Sequence, residues 1–161
     1  MKRLFFATSV LSAAAAFSGC DSAGPAGAVQ PHFASLYGDY FSNCAQCHSP
    51  SGPGRQPGTT ETSLDFSTAA TAYATLTGKA AGLSGNSAGC NGVPFIAKGK
   101  PGSSVLLAVV DASTRKSLDL TGYASCDATA ITDMTLKVGK APSAAFVTAL
   151  RTWIQNGAAN D

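Results

Sequence analysis

Charge is scarce in this chain: Asp, Glu, Lys and Arg make up 12% of its 161 residues, against 45% hydrophobic ones. That balance disfavours a highly charged nucleic-acid binder and an acidic disordered tail. Histidine and methionine are scarcer still, at two residues each. Beyond the N-terminal segment no apolar run approaches about 18 residues, so no membrane-crossing helix is expected there. There is no internal repeat. The glycine-rich stretch at residues 82–89 lacks the Gly-Lys-Ser/Thr ending and the preceding strand pattern of a phosphate cradle, and it reads as loop. Abundant instead are Ala, Gly, Ser and Thr, which suit close helix packing joined by many turns. The length fits one domain.

Lys2-Arg3 followed by the apolar residues 4–17 has the layout of an export signal, too short for a comfortable membrane span. The run ends in Phe17-Ser18-Gly19-Cys20, which resembles the cleavage motif of bacterial lipoproteins, although Phe17 stands where Leu is usual. The expectation is a signal at residues 1–19, a lipid on Cys20, and a flexible Pro/Gly/Ala tether at residues 20–30. Residues 31–161 would then form one domain outside the cytoplasm, facing the periplasm or cell envelope and anchored to a membrane. Loss of Lys2 and Arg3 leaves nine basic residues of the original eleven, facing nine acidic ones.

Four of the five cysteines remain to be assigned. Cys44-Ala45-Gln46-Cys47-His48 is the pattern of covalent c-type haem attachment. Two thiols add across the two vinyl groups, and the intervening pair of residues lets the chain turn so that the next imidazole, His48, reaches the iron. A zinc site would need further ligands, and only His32, Cys90 and Cys126 are left, none arranged as a second ligand pair. A thioredoxin-like dithiol would follow a strand, whereas residues 37–43 read as helix. In an exported chain the remaining Cys90 and Cys126 are expected to form a disulfide. By chain entropy, such a loop of some 36 residues contributes about 3–4 kcal/mol.

Phe33, Leu36, Tyr37, Tyr40 and Phe41 recur at three- and four-residue spacing and predict a helix over residues 31–45. Residues 49–63, rich in Pro and Gly, read as a loop beside the motif. A second helix is expected at residues 67–76, capped by Ser67 and stopped by Gly78, with loop again at residues 79–92. Residues 105–110 are apolar and β-branched enough to suit either a helix or a buried strand. Ser143 should cap a last helix reaching residue 156, with Phe146, Val147, Leu150, Trp153 and Ile154 inward and Gly157 ending it.

Over residues 31–158 the chain resembles a class I c-type cytochrome domain. The resemblance rests on Tyr40 four residues before the motif, on the motif itself, and on Trp153-Ile154-Gln155-Asn156-Gly157-Ala158, similar to the Trp-Ile-x-x-Gly-Ala ending of bacterial members. It implies an all-α, cytochrome c-like fold around one covalent haem c, with Tyr40 or Phe41 against Trp153 or Leu150. It also implies Met134 as the second axial ligand, ahead of Pro142 and the last helix. The function implied is single-electron transfer to redox protein partners associated with a membrane, and not catalysis or nucleic-acid binding. Two departures stand out: a longer stretch between His48 and Met134, and the Cys90/Cys126 pair. His32, about 18 Å from Cys44 if the helix is straight, is expected exposed at the helix start. It could otherwise ligate the haem of a neighbouring molecule. Alternatives to the carrier are an enzymatic or gas-binding haem with an open distal position, for which no distal His remains, and a fixed cytochrome subunit of a larger oxidoreductase complex.

Overall fold

The computed structural model describes residues 28–53, 64–78, 80–82 and 85–161. The expected signal, Cys20, most of the tether and residues 54–63 of the loop after the motif lie outside the described residues. Within them are five α-helices: α1 (Phe33–Asp39), α2 (Ala69–Gly78), α3 (Val105–Val110), α4 (Met134–Val138) and α5 (Ala144–Gln155). Short 3-10 turns connect several of them. Among the described residues there is no strand, only an isolated bridge between Ala80 and Pro94. The expected all-α class therefore holds. None of the helices is long and apolar enough to cross a membrane.

Helix α5 follows its sequence signals closely. The Ser143 hydroxyl accepts from the Phe146 amide at 3.0 Å, which satisfies one of the free N–H groups of the first turn. Phe146, Leu150, Trp153 and Ile154 are buried, and Val147 is half-buried. The helix stops where Gly157 takes φ of 95°, a left-handed conformation that costs glycine little. The tail then curls back: Trp153 Nε1 donates to the Ala159 carbonyl at 2.8 Å, and the amides of Phe33 and Ala34 donate to Asp161. The first turn of α1 is thus capped by residue 161 as well as by His32, whose Nδ1 accepts from the Ser35 amide.

The first helix departs from expectation. It breaks at Tyr40, whose φ of −135° is not helical, and the chain resumes as a 3-10 helix over Phe41–Gln46. The apolar spacing survives this break because three residues per turn also brings every third side chain to one face. Helix α1 packs on α5, but the ring against Trp153 is not the one the resemblance implied. Phe33 meets Trp153 at 5.3 Å between ring centroids, whereas Tyr40 and Phe41 meet Phe146 at 4.9 and 5.2 Å. His32 is half-buried at the cap and not fully exposed.

Helix α2 begins at Ala69, one residue later than a Ser67 cap would start it, because the Thr68 Oγ1 accepts from the Thr71 amide at 3.1 Å. Residues 105–110 are helical, and Val105, Leu106, Leu107, Ala108 and Val110 are all buried. Burial on every face explains why periodicity could not tell helix from strand there. Within the expected loop at 79–92, Gly85–Cys90 forms a 3-10 turn. Cys90 and Cys126 are disulfide-bonded with Cα atoms 4.2 Å apart. Gly89 beside them lies against the Ser125 carbonyl so closely that a β-carbon would collide. One hydrophobic cluster runs from Phe33 to Ala158 and includes residues of α1, α2, α3 and α5.

Candidate cofactor-attachment site

The 3-10 helix Phe41–Gln46 winds directly into the Cys-x-x-Cys-His motif. The Cys44 carbonyl accepts from both the Cys47 amide at 3.2 Å and the His48 amide at 2.8 Å. This shared acceptor folds residues 44–48 into a single turn, so both sulfurs and the imidazole stem from one compact piece of backbone. After His48 the chain reverses through Ser49–Gly52, closed by the Gly52 amide on the Ser49 carbonyl at 3.0 Å. Gly52 lies so close to the Cys47 carbonyl that any β-carbon would strike it.

Cys44 and Cys47 are both half-buried and both free, although a disulfide between them is a common fate of such a spacing in an oxidising compartment. Burial, reinforced by the neighbouring Cys47, pushes the Cys44 thiol up to about 11. His48 is held below the ordinary imidazole value by burial, which favours the neutral ring that a metal needs.

The segment carrying Met134 is drawn to the same region. Tyr40 Oη donates to the Lys140 carbonyl at 3.0 Å, and Lys140 Nζ reaches the Asp39 carbonyl at 3.4 Å. Burial pushes the Tyr40 hydroxyl up to about 12, with the Cys44 thiol and the Asp133 carboxylate adding to the effect. Both groups therefore lie within electrostatic range of one phenol. Met134 is the first residue of α4 and is half-buried. Asp133 caps that helix, accepting from the Thr135 amide at 2.9 Å. Asp133 also pairs with Arg115 at 3.4 Å, while the Arg115 Nε donates to the Ala108 carbonyl at 2.9 Å.

These residues suit a covalent haem in two respects. Two unbonded thiols and a neutral imidazole occupy one turn. A thioether sits on a segment tied to that turn through Tyr40. Away from that turn, the buried Nη2 of Arg115 lies 3.4 Å from the Asp133 carboxylate, which holds the start of α4 in place. Among the described residues no three His, Cys, Asp or Glu side chains gather as a metal-chelating group. Cys90 and Cys126 are spent on each other, and His32 uses its Nδ1 on the cap of α1. Cys20 lies outside the described residues.

Two contributors carry no sequence signal. Phe66 falls between the expected loop and the expected second helix, in a stretch without periodicity, yet it packs against His48 with ring centroids 6.0 Å apart. Arg115 stands in a polar stretch that forms only a 3-10 turn. The chain matches no protein-family model, no curated protein and no solved structure.

Proposed function

We propose that this protein is a monohaem c-type cytochrome of the class I, cytochrome c-like kind, carrying single electrons outside the cytoplasm and tethered to a membrane by a lipid on Cys20. The observation that carries the reading is the pair of free thiols, Cys44 and Cys47, on the single turn that ends in His48, in a chain whose Cys90 and Cys126 are already bonded to each other. Cys44 and Cys47 would hold haem c through thioether bonds, and His48 and Met134 would be the residues that ligate its iron. When bound, the haem supplies a reversible one-electron Fe(III)/Fe(II) couple.

The residues around the motif have the remaining tasks. Phe41, Phe66 and Phe146 pack together beside it, with centroid distances of 5.8 Å for Phe41–Phe66 and 5.2 Å for Phe41–Phe146, and would exclude water from one side of the cofactor. A dry surround keeps reorganisation on electron transfer small and disfavours side reactions. The near balance of charge in the mature chain argues for modest electrostatic steering, with membrane tethering raising the effective concentration near a membrane-bound partner.

The test is a haem-stained denaturing gel of the exported protein beside its Cys44→Ala, Cys47→Ala double variant. Stain in the parent and none in the variant supports attachment at these positions; stain surviving in the variant, or absent from the parent, refutes it. Visible spectra with and without carbon monoxide then separate the carrier from an open-site haem enzyme or gas binder, because a haem with both axial positions filled by protein resists the gas. Purification of the native assembly distinguishes a free carrier from a fixed subunit.

A further inference from the structure

The chain leaves the motif at His48 and returns to it at Phe66, where three contacts converge on one residue. The Phe66 amide donates to the His48 carbonyl at 2.7 Å. The Phe66 carbonyl accepts from the Tyr37 hydroxyl at 2.8 Å. The Phe66 ring lies against the His48 imidazole and, on another side, against Phe41 at 5.8 Å. Phe66 is 3% exposed, so it has little freedom to move within this packing. Tyr37 is itself held against Phe33, at 6.5 Å between ring centroids, and Phe33 in turn meets Trp153 of α5.

We infer that Phe66, held by Tyr37, is a positioning residue for His48: the pair fixes the imidazole's backbone and one side of its ring, and through them the donor strength of the proximal ligand. This inference rests on the haem reading above. The backbone bond fixes where His48 begins, and the ring contact limits rotation of the imidazole about its own bonds. A ligand with two such restraints keeps its lone pair aligned with the metal, whereas a looser one donates less well on average. Fe(III) depends more than Fe(II) on a strong nitrogen donor, so loosening the clamp should destabilise the oxidised form.

Tyr37→Phe is the clean perturbation, because it deletes one oxygen and leaves the ring. A matched control exists elsewhere in the same core: the Tyr73 hydroxyl donates to the Ala158 carbonyl at 3.0 Å, far along the sequence from His48, so Tyr73→Phe loses the same kind of bond without touching Phe66. In haem-loaded protein, Tyr37→Phe should move the Fe(III)/Fe(II) equilibrium toward Fe(II) by about threefold, a rise of roughly 28 mV at 59 mV per tenfold change. Tyr73→Phe should lower thermal stability to a similar extent and leave the potential where it was. Should Tyr37→Phe fail to load haem, Phe66→Leu serves, since it keeps both backbone hydrogen bonds and removes only the ring; it should shift the paramagnetically displaced imidazole resonances of His48 in ferric protein. An unchanged potential in Tyr37→Phe, an equal shift in Tyr73→Phe, or unchanged His48 resonances in Phe66→Leu overturns the inference. If the parent protein carries no covalent haem, the functional reading fails first, which the stained gel reveals independently.

Discussion

The crossing of α1 and α5 makes a quantitative demand on Trp153. Its indole is 1% exposed, lies 5.3 Å from the Phe33 ring and 6.3 Å from Tyr73, and donates to the Ala159 carbonyl. Trp153→Ala removes the packing and the hydrogen bond together and should cost about 3–5 kcal/mol, a large share of the roughly 5–15 kcal/mol that holds an ordinary domain. Trp153→Phe keeps most of the apolar contact. Ala159 is exposed, so its carbonyl can turn to water, and the loss should be nearer 1–2 kcal/mol, the sum of about one hydrogen bond and a partly filled gap. Leu136→Ala is the contrast. Leu136 is 79% exposed on α4, and its truncation should fall within about 0.5 kcal/mol of neutral. Urea unfolding of the three variants, read by far-ultraviolet circular dichroism at constant haem content, orders them. Should Trp153→Ala cost less than about 1.5 kcal/mol, or no more than Leu136→Ala, then α1 and α5 do not hold each other as described.

Met134→His should keep both axial positions filled but lower the reduction potential, because imidazole stabilises Fe(III) more than a thioether does; an unchanged ferric spectrum and potential in Met134→Ala would remove Met134 from the ligand set. Gly89→Ala forces a β-carbon into the Ser125 carbonyl, so the backbone beside the Cys90–Cys126 bond must move, and a loss of about 1–3 kcal/mol in thermal unfolding is expected. Asp119 and Asp127 are held below the usual carboxylate range by the hydroxyl and amide of Thr121 and Thr129. A depressed folded-state value favours the ionised form, so their support is complete above the unfolded value near pH 4 and is lost as pH falls through the lower folded values. Thr121→Val with Thr129→Val should therefore reduce stability at pH 7 and flatten its decline between about pH 5 and 2, as followed by urea midpoints.

What sequence revealed here depended on whether the information was local. Helix α5 was legible because Ser143, the spacing of Phe146, Leu150 and Trp153, and Gly157 act within one stretch of chain. The Cys90–Cys126 pairing was legible because, once the other thiols had expected uses, only these two were left over, which constrains them without geometry. The break at Tyr40 was hidden, since apolar residues three apart satisfy a 3-10 helix as well as an α-helix. Phe33 rather than Tyr40 or Phe41 meets Trp153 because that break shifts the later aromatics toward Phe146, a tertiary consequence with no local sign. Phe66 and Arg115 were invisible for a simpler reason: each acts on a residue distant in sequence, from a segment with no periodic pattern of its own. Of the site, the turn holding Cys44, Cys47 and His48 was readable from spacing, and its surroundings were not.

The capping of Phe33 and Ala34 by Asp161 also sets an order of events. The contact joins residues 128 positions apart, and forming it pays the chain entropy of closing nearly the whole domain. A helical protein built on so remote a pairing should fold more slowly than helical bundles dominated by neighbouring contacts. Until residues 144–161 have been made, α1 has neither that cap nor its aromatic partners on α5. Throughout that interval Cys44 and Cys47 belong to a stretch of chain that the last helix has not yet closed over, and if they take a covalent group as proposed, that is when both thiols are easiest to reach.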